Sequence, residues 1–276
     1  MKFFKYTGLG NDFVFLDGKE ALSVTDPAAL AVKMCNRRTG IGADGLILLL
    51  PTDKGDVRMR ILNSDGSEAE MCGNASRCVA LHWVQNGFTS KKEITLDTLA
   101  GPIVAQLVDE AAGLVRVDMG APRLLRGQIL MTGNPQERAV SVPVKAGGRE
   151  FTGTAVSMGN PHFVIFVDDI SKTPLETWGP ALETCDAFPQ KTNVEFVQVL
   201  SDNKVRMRVW ERGAGITQAC GTGACATAVA CVLNGRTGAE VQVVLDGGTL
   251  QIAWPKQQHV WMSGPAKKVF TGDYIL

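Results

Sequence analysis

Seven cysteines are spread along this 276-residue chain, and two of them are set apart by their spacing. The tetrapeptide VRMR occurs at Val57–Arg60 and again at Val205–Arg208, 148 positions later. Each copy is followed, 15 residues after its valine, by a cysteine: Cys72 and Cys220. Both thiols stand beside a glycine and a small polar residue, Cys72-Gly73-Asn74 and Cys220-Gly221-Thr222, immediately before a stretch that reads as a helix. At such a place the unpaired backbone N–H groups and the positive end of the helix dipole stabilise a thiolate and hold an anion such as a carboxylate. Two such helix starts, related by a pseudo-twofold axis, are expected to face each other across an inter-domain cleft with a substrate between them.

A symmetric pair of acid and base groups suits the inversion of a C–H stereocentre, in which a proton leaves one face of the carbon and another returns to the opposite face. Thiols fit this task because their pKa lies within reach of neutrality, so one can be thiolate while the other stays thiol. The carbanion-like intermediate requires exclusion of water and a preorganised set of N–H donors. A single cysteine at the start of an apolar helix is ordinarily a small core residue. The symmetric recurrence is what favours chemistry at Cys72 and Cys220, while Cys35, Cys78, Cys185, Cys225 and Cys231 lack it and read as structural.

The elements that must position these thiols follow from the repeat. Residues 57–87 slid onto 205–235 match at ten of 31 positions without a gap, where ordinary composition gives roughly two. A second echo pairs Gly10-Asn11 with Gly159-Asn160, each running into an apolar segment, FVFLD and FVIFVD. The chain therefore reads as a tandem duplication of two domain-sized copies. Runs such as FVFL, GLILLL, VRMRIL, EITLDT, IVAQLV and LVRVDM in the first half predict strands. So do FVIFV, NVEFVQVL, VRMRVW, VQVVLD, LQIAW and HVWMS in the second. In VRMR the valine and methionine face one side and the arginines the other, as in a half-buried strand. CGNASRCVALHWVQNG and CGTGACATAVACVLNG predict helices of small and apolar residues, buried on most faces and stopped at Asn-Gly. Asp26-Pro27 signals another helix, expected to run to about Arg38 with Gly40 beyond.

The expected fold is α+β: two pseudosymmetric domains from a tandem duplication, each a mostly antiparallel curled β-sheet around a central buried helix. The expected boundaries are 1–118 for the N-terminal half, with a tail at 264–276 returning to it, and 119–263 for the C-terminal half. The segment from about Gly120 to Gly148 has no counterpart in the repeat and carries the crossover.

Composition bounds the function classes. With 45% hydrophobic and 20% charged residues the chain can bury a sizeable core. Lys+Arg and Asp+Glu are both 28, so the basic excess of a nucleic-acid binder is missing and a small-molecule partner is favoured. No apolar run, Leu46–Leu50 among them, approaches the roughly 20 residues of a membrane span. MKFFKYTGLGNDF meets Gly, Asn and Asp too early for a signal-peptide core, the pattern of a cytoplasmic sequence. Neither zinc-type cysteine spacing nor a CxxC pair is present, so the thiols are expected to be mostly free and no metal site is expected.

The run NSDGSEAEMCGNASR from Asn63 to Arg77 resembles the signature of the diaminopimelate epimerase family, and ERGAGITQACGTGA from Glu211 to Ala224 resembles its second-half counterpart. GLGNDF from Gly8, GIGADGL from Gly40, GNPH from Gly159 and TNVEF from Thr192 fall in the family's order, so the resemblance spans essentially the whole chain. It implies the pseudosymmetric α+β fold, two catalytic cysteines, no pyridoxal phosphate or other cofactor, no metal, and a homodimer. It also implies the reaction, reversible conversion of LL-2,6-diaminopimelate to the meso form in lysine and peptidoglycan precursor synthesis.

By the same resemblance Cys72 and Cys220 are the two acid/base thiols, and Gly73-Asn74 and Gly221-Thr222 hold the carboxylate at the reacting centre. Asn63, Asn160, Asn193, Glu211 and Arg212 read the distal amino-acid end, with Asn11 lining the cleft, and His162 and Glu211 tune the protonation of the thiols. Arg212 offers a fork for a carboxylate and Glu211 an acceptor for an ammonium group. Read without the motif, His162 is a structural histidine, and a solvated ion pair is the competing reading of Glu211-Arg212. Two positions depart from the family pattern: Ala75 stands where many relatives have glycine, and Gly45 where some carry a substrate-contacting glutamine. The competing assignments are another two-cysteine racemase or isomerase of this architecture, and a thiol redox protein in which Cys72 and Cys220 form a disulfide.

Overall fold

The computed structural model describes residues 1–275, and its backbone separates into two units, Met1–Asp118 with Ser263–Leu276, and Met119–Met262. In the first unit β1 (Lys2–Gly8) and β2 (Asn11–Leu16) form a hairpin, followed by the short α1 (Gly18–Leu22), then α2 (Pro27–Cys35), β3 (Gly45–Leu50), β4 (Val57–Asn63) and β5 (Glu68–Ala69). The central helix α3 (Gly73–Gln85) comes next, and β6 (Glu93–Thr98), β7 (Gly101–Asp109) and β8 (Leu114–Asp118) close the unit's N-terminal stretch. The second unit holds α4 (Arg126–Ile129), β9 (Val142–Ala146), β10 (Arg149–Ser157), β11 (Pro161–Phe166), α5 (Leu175–Glu183), β12 (Asn193–Ser201), β13 (Lys204–Glu211) and β14 (Gly215–Ile216). Its central helix α6 (Gly221–Leu233) precedes β15 (Glu240–Leu245), β16 (Gly248–Ala253) and β17 (Trp261–Pro265), where the chain leaves the unit. The last strand, β18 (Lys267–Asp273), pairs antiparallel with β1 of the first unit.

The duplication extends to strand pairing. β2 runs parallel to β3 with Phe13 opposite Gly45, and β11 runs parallel to β12 with His162 opposite Asn193. β3–β4 and β12–β13 are antiparallel, and β4‖β6 and β13‖β15 are parallel. The pairs β6–β7, β7–β8, β9–β10, β10–β11 and β15–β16 are antiparallel. Each sheet is thus mostly antiparallel, with two parallel joints wherever the chain crosses over before returning to the sheet. Both VRMR copies alternate as their side chains require, Val57 and Met59 buried beside half-exposed Arg58 and Arg60, and Val205 and Met207 likewise beside Arg206 and Arg208.

The two central helices are 13 residues each and buried along most of their length. α6 achieves this with alanine, cysteine, valine and threonine. α3 is less uniformly apolar than its small residues suggest, because Arg77 and His82 are fully buried within it. Arg77 donates to Asn74 Oδ1 at 2.8 Å, and His82 Nε2 lies 2.8 Å from Asp17 Oδ2, so each polar group has a partner inside the unit. Both helices stop as predicted: Asn86 and Asn234 return their amides to the carbonyls of His82 and Ala230, and Gly87 and Gly235 adopt positive φ.

α2 begins at Pro27 with Asp26 accepting from the Ala29 N–H at 3.0 Å. It ends at Cys35, three residues before the expected Arg38, because Asn36 Oδ1 accepts from the N–H groups of Arg38 and Thr39 and turns the chain. Among the described residues no helix is long and apolar enough to cross a membrane.

All seven cysteines are free thiols. Burial raises Cys35 to about 11, and raises Cys78 and Cys231 to about 12. A thiol whose pKa is raised by folding keeps its proton while the unfolded chain loses its own, so stability falls as pH rises above the ordinary thiol range. Each such thiol is expected to remove about 1.4 kcal/mol of unfolding free energy per pH unit above about pH 9. Urea titrations across alkaline pH check this, and Cys78→Ala is expected to reduce the slope by one thiol's share; an unchanged slope would refute the assignment.

Candidate active site

Cys72 and Cys220 are the N-cap residues of α3 and α6, each with extended backbone, φ −144° and −116°. The first backward bonds in the two helices are Ser76 N–H to Cys72 O at 2.9 Å and Ala224 N–H to Cys220 O at 3.0 Å. The N–H groups of the preceding residues, Gly73-Asn74 and Gly221-Thr222 among them, therefore sit at the open end of the helix, where an anion is favoured.

In the first unit the turn Leu9-Gly10, both at positive φ, carries Asn11 over the start of α3. Asn11 Oδ1 lies 3.7 Å from Cys72 Sγ and 3.2 Å from Asn74 Nδ2. The amide is oriented from behind, since Asn11 Nδ2 donates to Asp44 Oδ2 at 2.7 Å and Arg37 donates to Asp44 and Asp12 at 2.8 and 2.6 Å. Burial works against ionisation of Asp12, yet Arg37 and Lys5 hold it down at about 2. The Cys72 sulfur thus faces a fixed acceptor, an arrangement that suits a protonated thiol donating to Asn11.

Asn63 is at the end of β4, opposite Gly45, and its amide donates to Ser67 Oγ at 2.9 Å. A Cβ built on Gly45 falls 2.9 Å from Leu62 O, so this backbone has no room for the glutamine that some relatives carry there. Ala75 is fully buried in the first turn of α3.

The second half-site is richer in titratable groups. Cys220 Sγ accepts from Gly223 N–H at 3.4 Å and lies 3.6 Å from Thr222 Oγ1. Gly159, at positive φ, turns the chain so that Asn160 Nδ2 reaches Thr222 Oγ1 at 3.4 Å. His162 has Nε2 3.0 Å from Asn160 Oδ1 and Nδ1 2.6 Å from Glu195 Oε1. Glu211 accepts a short hydrogen bond from the Thr217 hydroxyl.

Burial pushes Glu211 up, with Glu195 adding to it and Thr217 and His162 opposing. Burial also pushes Cys220 well above its usual value, followed by the negative charges of Glu211 and Glu195; the bonds from Thr222 and Gly223 pull the other way. The helix start was expected to favour a thiolate. At Cys220 desolvation and two neighbouring carboxylates outweigh it, so the free chain holds this residue as a thiol.

Asn193 and Arg212 are joined at the strand ends. Asn193 is buried, its Nδ2 donating to Pro161 O at 2.8 Å and its Oδ1 accepting from Arg212 N–H at 2.9 Å. One N–H and one lone pair of this amide remain for a ligand, and its larger visible effect is to place Arg212. The Arg212 guanidinium is outermost, touching Gln190 O at 3.3 Å.

The structure thus gathers Asn11, Cys72 and Asn74 in one unit, and Asn160, His162, Glu211, Cys220 and Thr222 in the other. Asn63 bonds locally to Ser67, apart from the Cys72 cluster. Sequence reasoning passed over Glu195, whose one visible signal is a carboxylate among the apolar residues Val194, Phe196 and Val197 of a buried strand. It also passed over Asp44 and Arg37, which orient Asn11 from a loop with no periodic pattern.

The family model described as "Diaminopimelate epimerase" matches residues 3–125 and 154–269, covering both repeats. The chain is 56% identical to a diaminopimelate epimerase of Pelotomaculum thermopropionicum over 99% of each chain, and 53% identical to one of Heliobacterium modesticaldum over the whole of both. Among solved structures, a PhzF-family phenazine biosynthesis protein of Bacillus anthracis superposes with a TM-score of 0.71 at 15% identity, covering 100% of this chain and 99% of that one, a likeness of fold alone. Identity above one half along the full length, with both thiol-bearing repeats inside the matched segments, places the chain in the diaminopimelate epimerase family.

Proposed function

We propose that the chain interconverts LL- and meso-2,6-diaminopimelate by a cofactor-independent exchange of protons at one α-carbon, with Cys72 and Cys220 as the acid/base pair. The observation that carries this is the equivalence of the two thiols: each caps the buried central helix of its own unit, 148 positions apart, in a member of this family. Inversion requires one group at each face of the carbon, and the two groups may be chemically alike provided one is ionised when the other is not. Cys220, held as a thiol by burial and by Glu211 and Glu195, serves as proton donor in the free chain. Cys72 serves as base once the substrate's ammonium group and the helix start favour its anion.

The α-carboxylate at the reacting centre is held by the N–H groups of Gly73-Asn74 and Gly221-Thr222, which also stabilise charge spread onto that carboxylate as the proton leaves. The distal amino-acid end is read by Arg212 as a fork for its carboxylate and by Glu211, Asn11, Asn63, Asn160 and Asn193 as polar contacts. His162 and Glu211 adjust the protonation of Cys220. Such a chain is cytoplasmic and homodimeric, and its product feeds lysine and peptidoglycan precursor synthesis.

In deuterated water, LL-diaminopimelate is expected to gain deuterium at the α-carbon and to form the meso isomer without added cofactor. Cys72→Ala and Cys220→Ala are each expected to lower epimerisation by about 10³-fold or more. Full activity in either variant, or no exchange by the unsubstituted chain, would overturn the assignment.

The two thiols differ in exposure, Cys72 being half-buried and Cys220 buried and protonated. Brief treatment with iodoacetamide at neutral pH is therefore expected to alkylate Cys72 first, and peptide mass spectrometry identifies the modified residue. Preferential modification of Cys220 would contradict the difference in exposure.

A further inference from the structure

Glu195 is fully buried on β12, an element whose first five residues are all inaccessible. Its Oε1 lies 2.6 Å from His162 Nδ1, and its Oε2 is buried with no hydrogen-bond partner among the described residues. A buried carboxylate is costly, and cores retain one where a partner or a reaction uses it. The duplication supplies an internal control. The parallel register that sets His162 beside Asn193 sets Phe13 beside Gly45 in the first unit, so His162 corresponds to Phe13 and Glu195 to Ile47. Val14 and Ile47 are both fully buried and Phe13 nearly so. The fold accepts an apolar pair at these places, and the second copy carries an acid and an imidazole instead.

Their surroundings connect them to the thiol. A Cβ built on Gly223 would lie 2.8 Å from Glu195 Oε1 and 3.1 Å from Cys220 Sγ, so both atoms converge on the bare face of that glycine. On its other nitrogen His162 meets Asn160 Oδ1 at 3.0 Å, while Asn160 Nδ2 is directed at Thr222 Oγ1, which in turn lies 3.6 Å from the thiol. Both ring nitrogens therefore face acceptors, the arrangement of a ring with a proton on each. The charged groups that face His162 are Glu195 from β12 and Glu211 from β13, with the uncharged Val156 opposite it on β10.

We infer that Glu195 is a positioning residue for the reaction: its carboxylate is the counter-charge that keeps His162 doubly protonated and aimed through Asn160 and Thr222 at the Cys220 half-site. This rests on the assignment of Cys220 as one of the two proton-transfer groups. The positive ring offsets the charge of Glu211 next to the thiol, so that Cys220 can give up its proton without leaving a cluster of uncompensated anions. Glu195→Gln keeps the shape and an acceptor for Nδ1 but removes the counter-charge.

Nitrogen-15 spectra of the histidine-labelled chain, which has three histidines, read the ring without any substrate, and His162→Phe assigns the signal. At neutral pH the unsubstituted chain is expected to show both His162 nitrogens protonated, and Glu195→Gln a neutral ring. In parallel, Glu195→Gln is expected to lower kcat by about 100-fold with a smaller change in KM, and to move the alkaline limb of the kcat profile to lower pH. Glu195→Asp should recover part of this. The double variant His162→Phe with Glu195→Ile, which copies the first unit, is expected to unfold at a temperature near that of the unsubstituted chain, separating lost catalysis from lost structure. A neutral His162 ring in the unsubstituted chain, or an unchanged ring and pH profile in Glu195→Gln, would overturn the inference. Failure of the unsubstituted chain to epimerise diaminopimelate would instead overturn the proposed function, with the nitrogen spectra still deciding the role of Glu195.

Discussion

Each unit is organised by one constraint: a helix must be buried along its body while the N–H groups of its first turn stay available to something other than its own carbonyls. A helix buried by a surrounding sheet needs small or apolar side chains on nearly every face, which α6 supplies with alanine, cysteine and valine. Its open end then becomes a fixed cluster of donors inside a protein matrix, where they act more strongly on a carboxylate than they would in water. Placing a cysteine at the N-cap rather than serine or aspartate satisfies little of that donor capacity. In α6 Gly223 N–H reaches the sulfur at 3.4 Å, and in α3 the cap side chain makes no such bond. The donors that a better cap would consume remain for a ligand.

A helix start alone does not decide the ionisation of the thiol. The dipole contributes typically 0.3–1 kcal/mol and up to about 2 kcal/mol in partly buried geometries. Complete burial of a thiolate beside two carboxylates acts in the opposite direction, and at Cys220 it prevails. The thiol of the first unit lies beside an amide oxygen. There Asn11 presents an oxygen to Cys72, oriented by Asp44 and Arg37 from the far side. Two cysteines that look interchangeable in sequence therefore meet different surroundings.

What the sequence made legible was periodic or repeated. The VRMR strands, the central helices, their Asn-Gly stops and the two thiols were all visible, because alternation, small-residue composition and the 148-residue offset each report on local geometry. Less visible were β1 and β18, whose mixed KFFKYTG and KKVFTGD runs pair only through contact between opposite ends of the chain. α5 was hidden by Pro180 within it. The family resemblance named the chemistry and most of the polar residues, but not Glu195. A lone glutamate in NVEFV reads as a strand residue facing solvent until burial of the whole run is known, and burial depends on β11 and β13 lying on either side. Asp44 was equally hidden, since its effect on Asn11 passes between loops separated by 33 residues.

The divergence of the two copies explains how a duplicated scaffold can tell apart the two ends of a substrate. Strand register, helix length and cap positions are kept in both units, because a shift of one residue in any strand would turn its buried face outward. Side chains at strand ends and beside the caps are released from that constraint. Position for position, Asn63 answers to Glu211, Phe13 to His162 and Ile47 to Glu195. The first unit filled these places with apolar and neutral groups and the second with an acid, a base and a second acid. The two α-carbons of LL-diaminopimelate are equivalent in the free molecule, so only binding can decide which one reacts and which is merely recognised. A repeated backbone with one-sided charge offers the two ends of such a molecule chemically different surroundings.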